Sequence, residues 1–191
     1  MSLKLHTLVC STRPNRIGPA VADWFHAQAR HHGRFDCELV DLAGFGLPVF
    51  DEPEHPRLRR YAHEHTRRWS ASVESADAFV LVMPEYNYGP PPSIVNAMNF
   101  LAAEWNYKPA GFVSYGGISG GLRGVQAAKL MLTTFKMMPM MEAVAIPNVQ
   151  QHLDAERRFV PAEPHGPAAA QMLDELHRWA EAMAPLRRPA G

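Results

Sequence analysis

Three observations predict a doubly wound α/β sandwich for this chain of 191 residues. Five short apolar runs alternate with longer stretches of helical periodicity. The connections are too long for hairpins and suit crossovers in a parallel sheet with helices on both faces. The segments after the first, third and fourth strands are unusual in composition, and in such sheets ligands bind beyond the carboxyl ends of the strands.

The first strand is placed at residues 4–10, and a helix follows at 18–31. Gly18 and Pro19 suit its first turn, where proline lacks only an N–H that would be unpaired anyway. The second strand covers 35–41 and leads into a surface connection at 44–55, with Pro48, Pro53 and Pro56 nearby. A helix is expected at 56–74. The third strand, 78–83, is a run of bulky apolar residues that meets Pro84. Its helix is placed at 93–102, N-capped by Ser93. A fourth strand at 110–115 passes through a glycine cluster into a helix at 120–135, and a fifth occupies 140–146. Residues 147–167 form a connection without a motif, 167–183 a last helix, and 185–191 a fraying tail.

Composition is 47% hydrophobic and 20% charged, enough apolar material for one packed domain over residues 1–191. Formal net charge is 0 and the pI about 7.2, so no global field recruits nucleic acid or a membrane surface, and any anion must be held locally. No basic leader and no window of ~18 apolar residues is present, which points to a cytoplasmic protein. Cys10 and Cys37 read as small hydrophobes with no disulfide framework. The ten histidines scatter. His63 and His65, the densest pair, would point to different helix faces, so they are read as solvated and no metal is expected.

The first loop, Ser11-Thr12-Arg13-Pro14-Asn15-Arg16, combines hydroxyls, two guanidinium groups and a helix start. It suits a phosphate, although an ordinary strand-to-helix turn with exposed arginines has the same composition. It matches neither a triphosphate P-loop nor a dinucleotide fingerprint. The loop after the third strand, Pro84-Glu85-Tyr86-Asn87-Tyr88-Gly89-Pro90-Pro91-Pro92, has four prolines in nine residues. It is either a stiff ligand wall or a surface turn before a helix. The glycine cluster lets a backbone approach a flat ligand. It also spells G-x-S-x-G at Gly117 to Gly121, a nucleophile-elbow pattern with Ser119 as nucleophile. Asp154 or Asp174 and His165 or His177 follow it in the required order.

Taken together, Ser11-Thr12-Arg13, Pro84-Glu85-Tyr86-Asn87 with Pro91 and Asn96-Ala97, and Ser114-Tyr115-Gly116-Gly117 with Gly120-Gly121 resemble the NADPH-dependent FMN reductase family over roughly residues 3–135. The resemblance implies a flavodoxin-like three-layer sandwich with strand order 2-1-3-4-5. It implies FMN as cofactor and NADPH, or NADH, as reductant. Ser11 and Arg13 would hold the phosphate, with Arg16 and Gly18 in the same loop where the family often has Ser and Asn; a charged donor at Arg16 favours phosphate. Pro84, Glu85, Tyr86 and Asn87 would line the ring, and Ser114, Tyr115, Gly116 and Gly117 would approach its pyrimidine side.

The flavin carries the chemistry, so no side chain is assigned a catalytic role. Glu85 is the tempting candidate for one, but in the family pattern it lies within a binding loop, and a capping or surface role is expected of it instead. A quinone, azo compound, free flavin or similar small molecule would accept the electrons. A flavodoxin-type electron carrier and a serine hydrolase using Ser119 are the competing readings. The family's habit of pairing implies a homodimer or homotetramer; Met98, Phe100, Leu101 and Trp105 would form its face, or else one buried stripe.

Overall fold

The computed structural model describes residues 2–187. Five parallel strands, β1 (Leu3–Val9), β2 (Phe35–Asp41), β3 (Ala78–Pro84), β4 (Pro109–Tyr115) and β5 (Met138–Ile146), lie in the order β2-β1-β3-β4-β5. The helices are α1 (Gly18–His32), α2 (Glu64–Ser75), α3 (Pro92–Asn99), α4 (Leu122–Thr134) and α5 (His165–Met183). Side chains of successive strand residues point to opposite faces. Thus Ala78, Val80 and Val82 of β3 join α1 and α5 in one core, while Phe79, Leu81 and Met83 join α2, α3 and α4 in the other. Burial on both faces is why β3 reads as an unbroken apolar run.

Several boundaries differ from expectation, three of them for evident physical reasons. Helix 56–74 is not continuous: Pro56–Leu58 makes one 3-10 turn, Arg59 turns left-handed at φ 53°, and α2 starts at Glu64. The buried Glu52 carboxylate accepts the Ala62 and His63 N–H groups at 2.7 and 3.1 Å, drawing that stretch into a loop. His63 therefore precedes the helix, and its ring stacks on His65 at 5.2 Å beside Asp51 instead of facing elsewhere. Helix α3 stops at Asn99 because Phe100 and Leu101 leave it to enter the core. Met98, Phe100, Leu101 and Trp105 are all at most 1% exposed, so they hold the fold together and offer no face to a second copy.

Strand β5 begins two residues early, with Pro139 inside it; β5 is the sheet edge, where a missing N–H is tolerated. The expected tail is tied down in part. Ala184–Arg187 forms a 3-10 turn, and Arg187 donates to Asp77 at 2.6 Å and to the Tyr107 carbonyl at 3.1 Å; the rest of that tail lies outside the described residues. Among the described residues no helix is long and apolar enough to cross a membrane, and no group of three or more His, Cys, Asp or Glu is placed to hold a metal.

Candidate functional site

Strand order reverses between β1 and β3, and the loops leaving β1, β3, β4 and β5 gather at that end of the sheet. They enclose a cleft of about 390 Å³, within the range of small-molecule sites. Arg13, Arg16, Pro84, Glu85, Tyr86, Tyr115, Gly116 and Gly117 all line it, so eight residues from three distant segments meet as the sequence suggests. Larger grooves of about 910 and 750 Å³ lie along the α3 side and contain no arginine of the first loop.

The first loop is open. Among the described residues, the N–H groups of Thr12, Arg13, Asn15, Arg16 and Ile17 donate to no protein acceptor. Arg13 is exposed. Arg16 pairs with Asp41 through one terminal nitrogen, while its buried Nε has no partner among the described residues. A set of unused backbone donors with two guanidinium groups fits a dianionic phosphate ester, because charge-assisted hydrogen bonds to it are strong.

Two residues assigned to that loop serve the cleft from beneath. Ser11 is fully buried and its hydroxyl shares a hydrogen bond with the Tyr115 hydroxyl at 3.3 Å. Burial pushes the Tyr115 phenol well up, so it stays neutral and able to donate. Gly18 lies under this pair: a Cβ there would sit 2.6 Å from Ser11 Oγ and 2.9 Å from the Tyr115 hydroxyl oxygen. Its requirement for glycine is thus one of packing. Ser93 does not cap α3, whose first turn follows Pro91; its hydroxyl donates to the Cys10 carbonyl at 2.6 Å and fastens the root of the first loop.

The opposite wall is closed on itself. Tyr86 and Gly89 exchange backbone hydrogen bonds at 2.9 and 3.0 Å, and Asn87 and Tyr88 both have positive φ, the arrangement of a type I′ turn. Asn87 is held at the exposed tip of that turn. Glu85 turns its carboxylate to the start of α4, accepting from Ser119 Oγ (3.1 Å), Arg123 N–H (3.0 Å), Arg123 Nε (2.7 Å) and Gly124 N–H (3.3 Å). Burial pushes this carboxyl up, but the donors from Arg123, Gly124 and Ser119 outweigh it and hold it below the usual carboxylate value. Its side chain is therefore a cap on the helix dipole, the capping role expected of it in place of a catalytic one. The Arg123 guanidinium lies 3.8 Å from the centre of the Tyr88 ring and fixes it to the same helix start.

Ser114 is buried and donates to the Gly120 carbonyl at 2.8 Å, which sets the glycine loop rather than reaching the cleft. Gly121 has φ 84°, and a Cβ there would lie 2.9 Å from Ser114 Cβ. The nucleophile-elbow reading is overturned here. Ser119 gives its proton to Glu85 and accepts from Arg123 at 3.2 Å; no histidine bonds to it among the described residues. His165 packs against Trp24 and Phe159, His177 against Phe35, Asp154 is held by Arg158, and Asp174 is paired with His32.

Sequence reading missed the wall supplied after β5. Asn148, Val149, Gln150 and Gln151 line the cleft. Asn148 and Val149 donate to the Gly117 and Gly116 carbonyls at 2.9 and 3.0 Å, binding this segment to the glycine loop. The available signal was Pro147-Asn148 after an apolar run, since Asn tolerates the left-handed φ of 48° found there.

The family model for NADPH-dependent FMN reductase matches residues 3–151. An NAD(P)H-dependent FMN reductase of Schizosaccharomyces pombe is 36% identical over 147 residues, covering 75% of this chain and 74% of that protein. A second, from Nectria sp., is 33% identical over 140 residues, or 70% of each. Among solved structures, the flavoenzyme NAD(P)H:(acceptor) oxidoreductase FerB of Paracoccus denitrificans superposes with a TM-score of 0.73 at 21% identity, covering 95% of this chain and 98% of its own, a likeness of fold. The chain belongs to the NADPH-dependent FMN reductase family.

Proposed function

We propose that this family member binds FMN in the strand-end cleft and catalyses two-electron transfer from NADPH or NADH to a small acceptor such as a quinone, an azo compound or free flavin. The observation that carries the reading is the pairing of an open, cationic loop at residues 12–17 with a stiff, self-bonded wall at Glu85 to Gly121. Bound FMN would supply the redox chemistry, taking hydride at N5 and passing electrons onward.

The chain's own residues bind and orient. Arg13 and the free N–H groups of the first loop would hold the phosphate, with Arg16 held against Asp41 beside them. The ring would lie against Pro84, Glu85 and Tyr86 on one side of the cleft and Tyr115, Gly116 and Gly117 on the other, above Ser11 and Gly18. Glu85 is committed to the α4 cap with its carboxyl ionised, which leaves it poorly suited to proton transfer. A homodimer or homotetramer in the cytoplasm accompanies this reading, and sedimentation velocity would measure the assembly.

Protein saturated with FMN should lose its flavin absorption when NADPH or NADH is added without oxygen, and regain it on addition of a quinone. Protein that takes up no FMN on titration would refute the reading. Bound flavin that neither nicotinamide bleaches would instead make the chain an electron carrier.

A further inference from the structure

Beyond the segment shared with the family, residues 3–151, the chain forms a hairpin that touches the anion loop at one point. Leu153 and Phe159 form an antiparallel bridge. The Asp154 carboxylate accepts the Arg158 N–H at 2.8 Å and Arg158 Nε at 2.9 Å, closing the turn. Phe159 is buried against Trp24 of α1, with ring centres 5.1 Å apart, so the hairpin has a fixed seat on the helix that follows the first loop. Arg157 stands at the tip with φ 62°. Its guanidinium donates to the Asn15 carbonyl at 3.3 Å, across 142 residues of sequence.

Asn15 is itself left-handed, at φ 57°, in the middle of the stretch whose N–H groups are unused. A trans peptide is planar, so the Asn15 carbonyl and the Arg16 N–H point in opposite directions. Holding that carbonyl toward the hairpin aims the Arg16 N–H away from it, back into the loop. Consecutive N–H groups turned to one side by a left-handed residue make an anion-binding concavity.

We propose that Arg157 is a positioning residue for phosphate recognition: it holds the Asn15 peptide so that the first loop presents its N–H groups to the FMN phosphate. The proposal rests on the FMN reading of the cleft. Arg157 binds protein backbone, and the phosphate is held by the loop that it orders. Its side chain is exposed and its removal leaves both cores intact.

The test is titration of the apoprotein with FMN and, separately, with riboflavin, which lacks the phosphate, following quenching of flavin fluorescence. Arg157→Ala should weaken FMN binding by about fivefold to twentyfold, the scale of one hydrogen bond, and leave riboflavin binding within twofold. Arg157→Lys, which retains a donor, should recover part of the loss. The ratio of variant to wild-type Kd should persist at high salt, where a distant charge would be screened. Equal FMN binding by Arg157→Ala and wild type would overturn the proposal while leaving the cofactor assignment standing. So would parallel loss of riboflavin, a loss that vanishes at high salt, or no recovery with lysine. Wild-type protein that binds neither flavin would remove both.

Discussion

The loop after β1 and the loops after β3 and β4 face each other across one cleft, yet they are built in opposite ways. Thr12, Arg13, Asn15, Arg16 and Ile17 offer N–H groups that no protein atom accepts among the described residues. Across from them, Glu85 alone takes four donors from Ser119, Arg123 and Gly124, Ser114 holds Gly120, and Tyr86 pairs with Gly89. Unpaired donors near water cost little and are ready for an anion; a saturated network keeps its shape without a ligand. If the proposed FMN reading holds, the difference teaches that a site for a cofactor with a charged tail and a flat ring divides its labour: one wall would be completed by the ligand and the other is complete beforehand.

Substitutions in the closed wall should therefore damage folding, and those in the open wall should damage binding alone. The largest effect is expected for Gly121→Ala. Its φ of 84° disfavours a side chain, and the added Cβ would meet Ser114 Cβ and Tyr115 N at 2.9 Å each. Strain and overpacking together should cost about 3 kcal/mol, lowering Tm by about 6 °C or more in a calorimetric scan. An unchanged Tm would mean that the glycine loop is not held as tightly as its contacts imply.

Next is Glu85→Gln, which takes the charge from the α4 cap and replaces an acceptor of four bonds by one that must point an NH₂ at donors. Loss of about 2 kcal/mol in urea unfolding at pH 7 is expected. The carboxyl is held below its ordinary value in the folded protein. Its contribution is thus complete above the unfolded glutamate value of about 4.3 and disappears as pH falls through the lower folded value. The gap between wild type and variant should close on acidification below pH ~4 and stay constant from pH 6 to 8.

Arg13→Ala sharpens the contrast from the other side. It should reduce FMN affinity by about 1.5 to 3 kcal/mol, measured by fluorescence titration, while moving the stability of the apoprotein by less than about 0.5 kcal/mol. If it destabilised the apoprotein as Gly121→Ala does, the open wall would not be open. The smallest effect belongs to Tyr88→Ala, which removes the ring under Arg123 at an exposed site; about 0.5 to 1 kcal/mol of stability should go.

Much of this molecule was legible in its residues. The alternating runs located all five strands within two residues at each end, and the three odd loops did converge on one cleft. Local periodicity carries that information, because a strand or helix is chosen by the neighbours a few positions away. Where reading failed, a distant partner had intervened. Helix α2 starts late because Glu52 captures Ala62 and His63, and the apolar stripe at Met98 to Trp105 is core because two layers close over it.

The amino-acid sequence by itself determined the layered fold, the kinship, and which loops would meet at the cleft. Only the tertiary structure decided what each residue does there. Ser11 meets Tyr115 across 104 positions, Glu85 meets Arg123 across 38, and Arg157 meets Asn15 across 142. A serine, a glutamate or an arginine has several hydrogen-bonding roles open to it, and which one it takes is set by the groups that chain folding brings within about 3 Å.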